Sequence, residues 1–157
     1  MRNKEIAVAA VFLMMSILCS RIWAHCQIPC GIYDDPARFN SMLENVQTIE
    51  KSIKQIESLS TEKVQNWNQL VRWIDNKEVH ADKLAETVTY YFMAQQIKPL
   101  DAADDAVREK YVREVTLLHE ILFNSMKAKQ NTALKYCTKL RELILQFRQS
   151  FLGEKSH

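Results

Sequence analysis

Apolar residues recur at helical spacing along most of the chain. Between Pro36 and about Ser58 they fall alternately three and four positions apart, which predicts a helix with one apolar face. Asp35 is the expected N-cap of this helix, and Pro36 suits its first helical position. The residues of the face are Phe39, Met42, Val46, Ile49, Ile53 and Ile56.

The same periodicity predicts three further helices. The second runs from Glu62 to about Ile97, the third from about Asp101 or Ala102 to Lys129, and the fourth from Thr132 to Leu152, where Gly153 stops it. Each has one apolar stripe and short connections, so the expected fold is all-α, an antiparallel four-helix bundle. The three stripes are Val64, Trp67, Val71, Ile74, Ala81, Leu84, Val88, Tyr91 and Phe92; Val107, Tyr111, Val115, Leu118, Ile121, Leu122 and Met126; and Ala133, Cys137, Leu140, Ile144, Phe147 and Phe151.

Composition agrees with a helical domain and excludes several function classes. The 157 residues include only two glycines and three prolines, too few for a many-stranded sheet or a glycine-rich phosphate loop. The 21 basic and 19 acidic residues give a net charge of +2, and the basic residues form no patch interleaved with aromatic residues. Nucleic acid is therefore not an expected partner.

The N-terminus has the pattern of a secretory signal peptide. Arg2 and Lys4 precede an apolar run, Ile6 to Leu18, and Ala24 is a small residue at a cleavage position. The run is shorter than the roughly 20 residues that a spanning helix needs. We therefore expect residues 1–24 to be cleaved and residues 25–157 to form an exported domain, periplasmic or extracellular. The alternative is a cytoplasmic protein in which the N-terminal segment is a propeptide. After cleavage the basic and acidic residues balance, which gives no reason for membrane binding.

Unusual chemistry is concentrated in residues 25–35, HCQIPCGIYDD, which hold two of the four cysteines and one of the four histidines. A disulfide between Cys26 and Cys30 is one interpretation, although it would close a very small loop in a bundle that is large enough to fold without a disulfide. Metal binding is the other. Cleavage after Ala24 would free the α-amine of His25, so that this amine, the Cys26 amide nitrogen and two thiolates could surround an ion in a plane. The His25 imidazole would lie above it, an arrangement that suits Ni(II) or Cu(II) better than zinc.

This segment resembles the N-terminal nickel hook of the nickel superoxide dismutases, H-C-x-x-P-C-G-x-Y, and matches all six fixed positions. The resemblance implies processing by a peptidase immediately before His25 and a homohexamer. It also implies one redox-cycling Ni(II)/Ni(III) ion per subunit, bound by His25, Cys26 and Cys30, that converts superoxide to O2 and H2O2. Tyr33 would control access to the metal and deliver protons. A weaker resemblance is Lys77-Glu78-x-x-Ala81-Asp82, which is similar to a K-E-x-x-A-E run in the second helix of the family.

The chain also departs from the family pattern. Gln27 occupies a position that is acidic in the better-known members, and one residue is added at Asp34-Asp35-Pro36. A carboxylate that supports the axial histidine falls near Ser41 or Met42, and a supporting arginine falls on His80. His80 is therefore a candidate for the residue that supports the His25 imidazole.

Two other functions stay open from the residues alone. An exported nickel or copper carrier would bind metal with the same hook without consuming superoxide. A helical interaction module would carry the Cys26–Cys30 disulfide and no metal. Of the other candidates, His119 is expected on a polar face, Cys137 as a buried thiol in the core, and His157 in solvent.

Overall fold

The computed structural model describes residues 35–100 and 104–153, and over these residues the chain forms four helices and no strand. Helix α1 spans Asp35–Ser60, and α2 spans Trp67–Glu86 and continues directly into a π-helical segment, Thr87–Gln96. Helices α3 and α4 span Asp105–Gln130 and Lys135–Leu152. The predicted all-helical fold is confirmed. None of the described helices is long and apolar enough to cross a membrane.

Paired residues show that each helix runs antiparallel to its neighbours. Along each pair of packed helices, contacts move forward on one helix as they move backward on the other. The pairs are Asp35–Tyr91, Asn45–His80 and Ser52–Asn76 for α1 with α2, including its π-helical extension; Lys77–Ala128 and Ala81–Ser125 for α2 with α3; Glu114–Ser150 and Glu120–Lys139 for α3 with α4; and Phe39–Phe147 and Glu50–Arg141 for α1 with α4. The four helices therefore form a closed antiparallel bundle.

The apolar faces of α1 and α4 form the centre of the core. All six predicted positions of α1 are buried, and so are those of α4 except Ala133, which is half-buried. At one end of the bundle four phenylalanine rings lie with centroids 4.8 to 6.1 Å apart, in tilted and edge-on arrangements that aromatic rings favour. These rings are Phe39, Phe92, Phe147 and Phe151.

The predicted start of the second helix is wrong. Helix α2 begins at Trp67, five residues later than expected, because the Asn66 side chain accepts a hydrogen bond from the Gln69 amide at 3.2 Å and caps it. Val64 and Trp67 are exposed rather than buried, as are Val71 and Ile74.

Their exposure follows from where α3 ends. Lys77 contacts the last turn of α3, so the part of α2 before Lys77 extends past the end of that helix. Near its end this part contacts α1, where Asn76 donates to Ser52. Periodicity shows which face of a helix is apolar, but the length of its neighbours decides how much of that face is covered.

The π-helical segment is a second difference from the predicted continuous α-helix. The Ile97 amide donates to the Phe92 carbonyl at 2.9 Å, a bond that spans five residues. An α-helix would turn Gln95 or Gln96 toward the core after Phe92. The wider π turn brings Ile97 against the core instead, so the glutamines stay half-exposed.

Helices α3 and α4 also begin later than predicted. The Asp104 side chain caps α3 by accepting from the Val107 amide at 2.8 Å, so the helix starts at Asp105 rather than near residue 101. Val107 and Met126, predicted in the core, are exposed. The Asn131 side chain accepts from the Ala133 amide at 2.8 Å, and α4 starts only at Lys135. These polar side chains bind backbone amides that helix continuation would otherwise satisfy.

Lys77 joins α2 to the end of α3. Its side chain is buried, and its ammonium group donates to the backbone carbonyls of Ala128, at 2.9 Å, and Lys129. The last carbonyls of a helix have no partner within the helix and carry the negative end of its dipole, so a cation is favourable there. The same ammonium group donates to the Glu78 carboxylate at 3.0 Å, which partly balances its charge.

The rest of the Lys77-Glu78-x-x-Ala81-Asp82 run also contacts α3, one helical turn further along α2. The Ala81 carbonyl accepts a hydrogen bond from the Ser125 hydroxyl at 2.9 Å. On the surface, Lys129 is 2.7 Å from Asp82, a hydrogen bond that raises the pKa of Lys129. The run that resembles a family motif is therefore a structural contact between two helices.

We expect Lys77→Met to lower the free energy of unfolding by about 1–3 kcal/mol, because methionine fills the space but leaves one buried and one partly buried carbonyl without their donor. Urea unfolding of the variant and the wild type measures this difference. The control is Lys83→Met, an exposed position of the same helix, which should change stability by less than about 0.5 kcal/mol. Equal stability of the two variants would show that the Lys77 contact contributes nothing.

Candidate metal centre

The residues predicted to bind the metal lie outside the part of the chain that the structure describes. These residues are His25, Cys26 and Cys30, and the predicted gating residue Tyr33 precedes the first described residue by two positions. The predicted cleavage site after Ala24 and the solvent position of His157 also fall outside it. These assignments stay predictions. The described residues contribute indirectly, by showing which side chains the bundle provides near the start of α1 and which metal ligands it lacks.

Within residues 35–100 and 104–153, no three side chains of the types that commonly bind metals come together as a metal site. His119 is exposed on α3, as predicted for a polar face. Cys137 is buried on α4 with 1% of its surface exposed, which confirms its prediction as a core thiol.

The Cys137 thiol is chemically quiet. Burial, followed by the charge of Glu50, raises its pKa to about 11. Metals and electrophiles react with the thiolate form, which such a thiol hardly populates at neutral pH. The described bundle therefore offers no thiolate for a metal.

His80 lies half-buried on the face of α2 that meets α1. Its Nδ1 atom is 2.7 Å from the amide oxygen of Asn45. An amide oxygen can only accept, so Nδ1 carries the proton and the lone pair of the neutral ring is on Nε2. Burial, with a smaller contribution from Lys83, lowers the pKa of His80, which favours this neutral form. His80 is thus a neutral imidazole whose Nε2 atom is an acceptor.

Asn45 is a residue that sequence reasoning missed. Ser41 is exposed and Met42 is buried, so neither provides a carboxylate at the expected position of α1. Asn45 follows within one turn, 6% exposed, and supplies an oxygen to His80. The available signal was a polar residue beside Val46 on the apolar face, a position where a buried amide needs a partner.

A second polar contact lies where α1 begins. The Tyr91 hydroxyl donates to the Asp35 carboxylate at 2.6 Å, and the Arg38 guanidinium lies 4.9 Å from the centre of the Tyr91 ring. Tyr91 was predicted as a core residue, but it is half-buried and its ring packs edge-on against Phe92. The contact holds the first turn of α1, to which the predicted metal-binding segment is directly joined.

Comparison with known families identifies the class of protein. A family model described as nickel-containing superoxide dismutase matches residues 20–155, a range that includes the predicted metal-binding segment and all four helices. The chain therefore belongs to the family of nickel-containing superoxide dismutases. It is an oxidoreductase that uses nickel to convert superoxide to O2 and H2O2. No curated protein and no solved structure matches the chain.

Proposed function

We propose that the nickel of this superoxide dismutase is held at the processed N-terminus by His25, Cys26 and Cys30. The observation that carries the proposal is the chemistry of the bundle. Its described part contains one cysteine, Cys137, which is buried and protonated, and no cluster of metal-binding side chains. Thiolates for nickel must then come from elsewhere in the chain, and residues 25–30 contain two cysteines and a histidine.

The donor set suits nickel better than zinc or magnesium. Two thiolates with amine, amide and imidazole nitrogens are soft and strongly donating ligands, whereas magnesium requires oxygen ligands and zinc prefers a tetrahedral set. Nickel, when bound, supplies the one-electron couple that first takes an electron from superoxide and then returns one to superoxide. Cys26 and Cys30 bind in the thiolate form.

Two further residues have proposed roles beside the ligands. Tyr33 is three residues after Cys30, and its hydroxyl group would limit access to the metal and deliver protons. His80 would accept a hydrogen bond at Nε2 from the second nitrogen of the His25 imidazole and so fix its orientation. The Asn45 contact supports this role because it leaves Nε2 of His80 without a proton.

Export and processing belong to the same proposal. Cleavage after Ala24 by a signal or processing peptidase would create the free α-amine of His25. Because this amine is one of the proposed ligands, a chain that keeps residues before His25 lacks a ligand. Export through a signal peptide is the favoured route, and removal of a cytoplasmic propeptide would give the same mature chain.

We expect the chain that starts at His25 to bind one nickel per subunit and to consume superoxide. A chain with one residue left before His25, and the variants Cys26→Ser and Cys30→Ser, should lose nickel and activity together, because each lacks a ligand. Elemental analysis, the mass of the N-terminal peptide and superoxide decay are measured on the same samples.

The control for this experiment is Cys137→Ser, which should keep nickel and activity and at most reduce stability. Nickel loss in the Cys137 variant alone would mean that the ligand set is wrong. Nickel binding without superoxide consumption would indicate a carrier, and a chain with a Cys26–Cys30 disulfide and no nickel would indicate an interaction module.

For His80→Ala we expect full nickel content with activity lowered roughly ten- to a hundredfold, the usual cost of losing a residue that orients a ligand. Nickel content and superoxide decay are measured together. His119→Ala, an exposed histidine on α3, is the matched control and should retain full activity. Unchanged turnover of nickel-loaded His80→Ala would show that His80 only packs against α1.

The assembly proposed from the family resemblance is a homohexamer. Support comes from the part of α2 that extends beyond α3. Trp67, Val71 and Ile74 lie four and three positions apart, on one face of the helix, and are 66%, 61% and 40% exposed. Large apolar side chains exposed together are typical of a surface that another protein covers, and in a homo-oligomer that protein is a second copy.

We expect the processed wild type to have the mass of six chains in light scattering, and Val71→Asp to form smaller species. The substitution places a charge on the apolar face without touching the core, so the helical content should not change. Thr116→Asp, an exposed position of α3, is the control and should assemble normally. A Val71→Asp protein of wild-type mass would show that this face lies outside any subunit interface.

A further inference from the structure

The contact between Tyr91 and Asp35 joins two distant parts of the chain at the point where α1 begins. Tyr91 lies in the π-helical segment, and Asp35 is the first residue of α1. Their oxygen atoms are 2.6 Å apart, in the range of hydrogen bonds between a hydroxyl and a carboxylate, which are among the stronger ones in proteins. The bond therefore holds a helix terminus that would otherwise be free to fray.

Tyr91 is itself held from two other sides. The Phe92 ring packs against it edge-on at 5.0 Å between centroids, and Phe92 is fully buried in the core. The Arg38 guanidinium, one turn after Asp35, lies over the Tyr91 ring at 4.9 Å. The first turn of α1 thus contacts both the hydroxyl group and the ring of Tyr91.

The position of Tyr91 depends on the π-helical segment. This segment keeps Val88, Phe92 and Ile97 against the core, while Tyr91, next to Phe92, reaches the start of α1. Segments of π-helix are uncommon and often occur at functional sites. Here the irregular segment supports the one helix end that leads into the predicted metal-binding residues.

We propose that the Asp35–Tyr91 hydrogen bond anchors the metal-binding segment to the bundle, so that Tyr91 is a positioning residue for nickel. This inference rests on the proposed ligand set. Cys30 precedes Asp35 by five residues and Tyr33 precedes it by two, so the anchor is close in sequence to the proposed ligands. Ligands on a chain whose end is fixed re-form a broken metal bond more readily than ligands on a loose end.

Asp35 lies in the stretch Asp34-Asp35-Pro36, where the chain has one residue more than the family pattern. The contact therefore uses a feature of this sequence and not one of the matching hook positions. The carboxylate that the phenol of Tyr91 binds is supplied from this stretch of the chain.

The test uses the processed, nickel-loaded protein and measures the rate at which nickel passes to excess EDTA. Tyr91→Phe removes only the hydroxyl group and keeps both ring contacts. We expect it to release nickel about ten times faster than the wild type, within the range for lost residues that orient ligands. Its circular dichroism spectrum should match that of the wild type. Tyr90→Phe, the exposed neighbour, is the control and should release nickel at the wild-type rate.

A double-mutant cycle separates the bond from a general loss of stability. Asp35→Asn keeps an oxygen that accepts the bond and should release nickel nearly as slowly as the wild type. Asp35→Ala should be fast, and combining it with Tyr91→Phe should add no further acceleration, because both changes remove the same bond. Hydrogen exchange of the first turn of α1 should accelerate in the same variants.

The outcomes distinguish the anchor from the ligand set. A wild type that retains nickel, with Tyr91→Phe releasing it at the same rate, leaves the ligands standing and refutes the anchor. Additive effects in the double variant also refute it, since the two residues would then act independently. A processed wild type that retains no nickel refutes the ligand set, and the anchor fails with it.

Discussion

The alignment of α2 and α3 depends on one buried cation. Lys77 places its ammonium group on the terminal carbonyls of α3, where backbone groups lack partners and the helix dipole is negative. A slip of one helical turn would leave both the ammonium group and the carbonyls buried without partners, a cost of several kcal/mol. The contact fixes which part of α2 is covered by α3 and which part extends beyond it.

Helix α1 is aligned with α2 and its π-helical extension by a row of hydrogen bonds. Among the described residues, three polar pairs follow one another along this interface: Asp35–Tyr91, Asn45–His80 and Ser52–Asn76. Each pair satisfies groups that would be costly to bury alone, so together they specify one alignment of the two helices. Two of the three include residues for which we propose a role near the metal. The same hydrogen bonds that align the helices therefore also hold the side chains for which we propose a role beside the metal ligands.

The sequence predicted much of this fold because periodic apolar residues must share a core. The faces of α1 and α4 were predicted almost completely, since Phe39, Ile49 and Phe147 are covered on every side. Errors arose where a neighbouring helix decides burial, as at Val71, or where a side chain caps a helix, as at Asn66. The π-helical segment could not be predicted because the periodicity does not show whether Gln96 or Ile97 packs against the core.

The candidate site divides in the same way. Ligand types and spacing can be predicted because His25, Cys26 and Cys30 lie within six consecutive residues and need no folded structure to be recognised. The sequence also indicated His80 as a candidate support, but its partner Asn45 could not be predicted, because the two residues are 35 positions apart and meet only in the folded bundle. The Asn45–His80 contact is a property of the interface between two helices.

The burial of the Cys137 thiol in α4 affects how well the enzyme resists oxidation by its own product. Each turnover releases hydrogen peroxide, which oxidises cysteine through its thiolate form to the sulfenic acid and beyond. With its pKa raised to about 11, Cys137 is almost entirely protonated at neutral pH, and almost none of its surface meets solvent. The described bundle thus carries a cysteine in its core that offers peroxide almost no thiolate to oxidise.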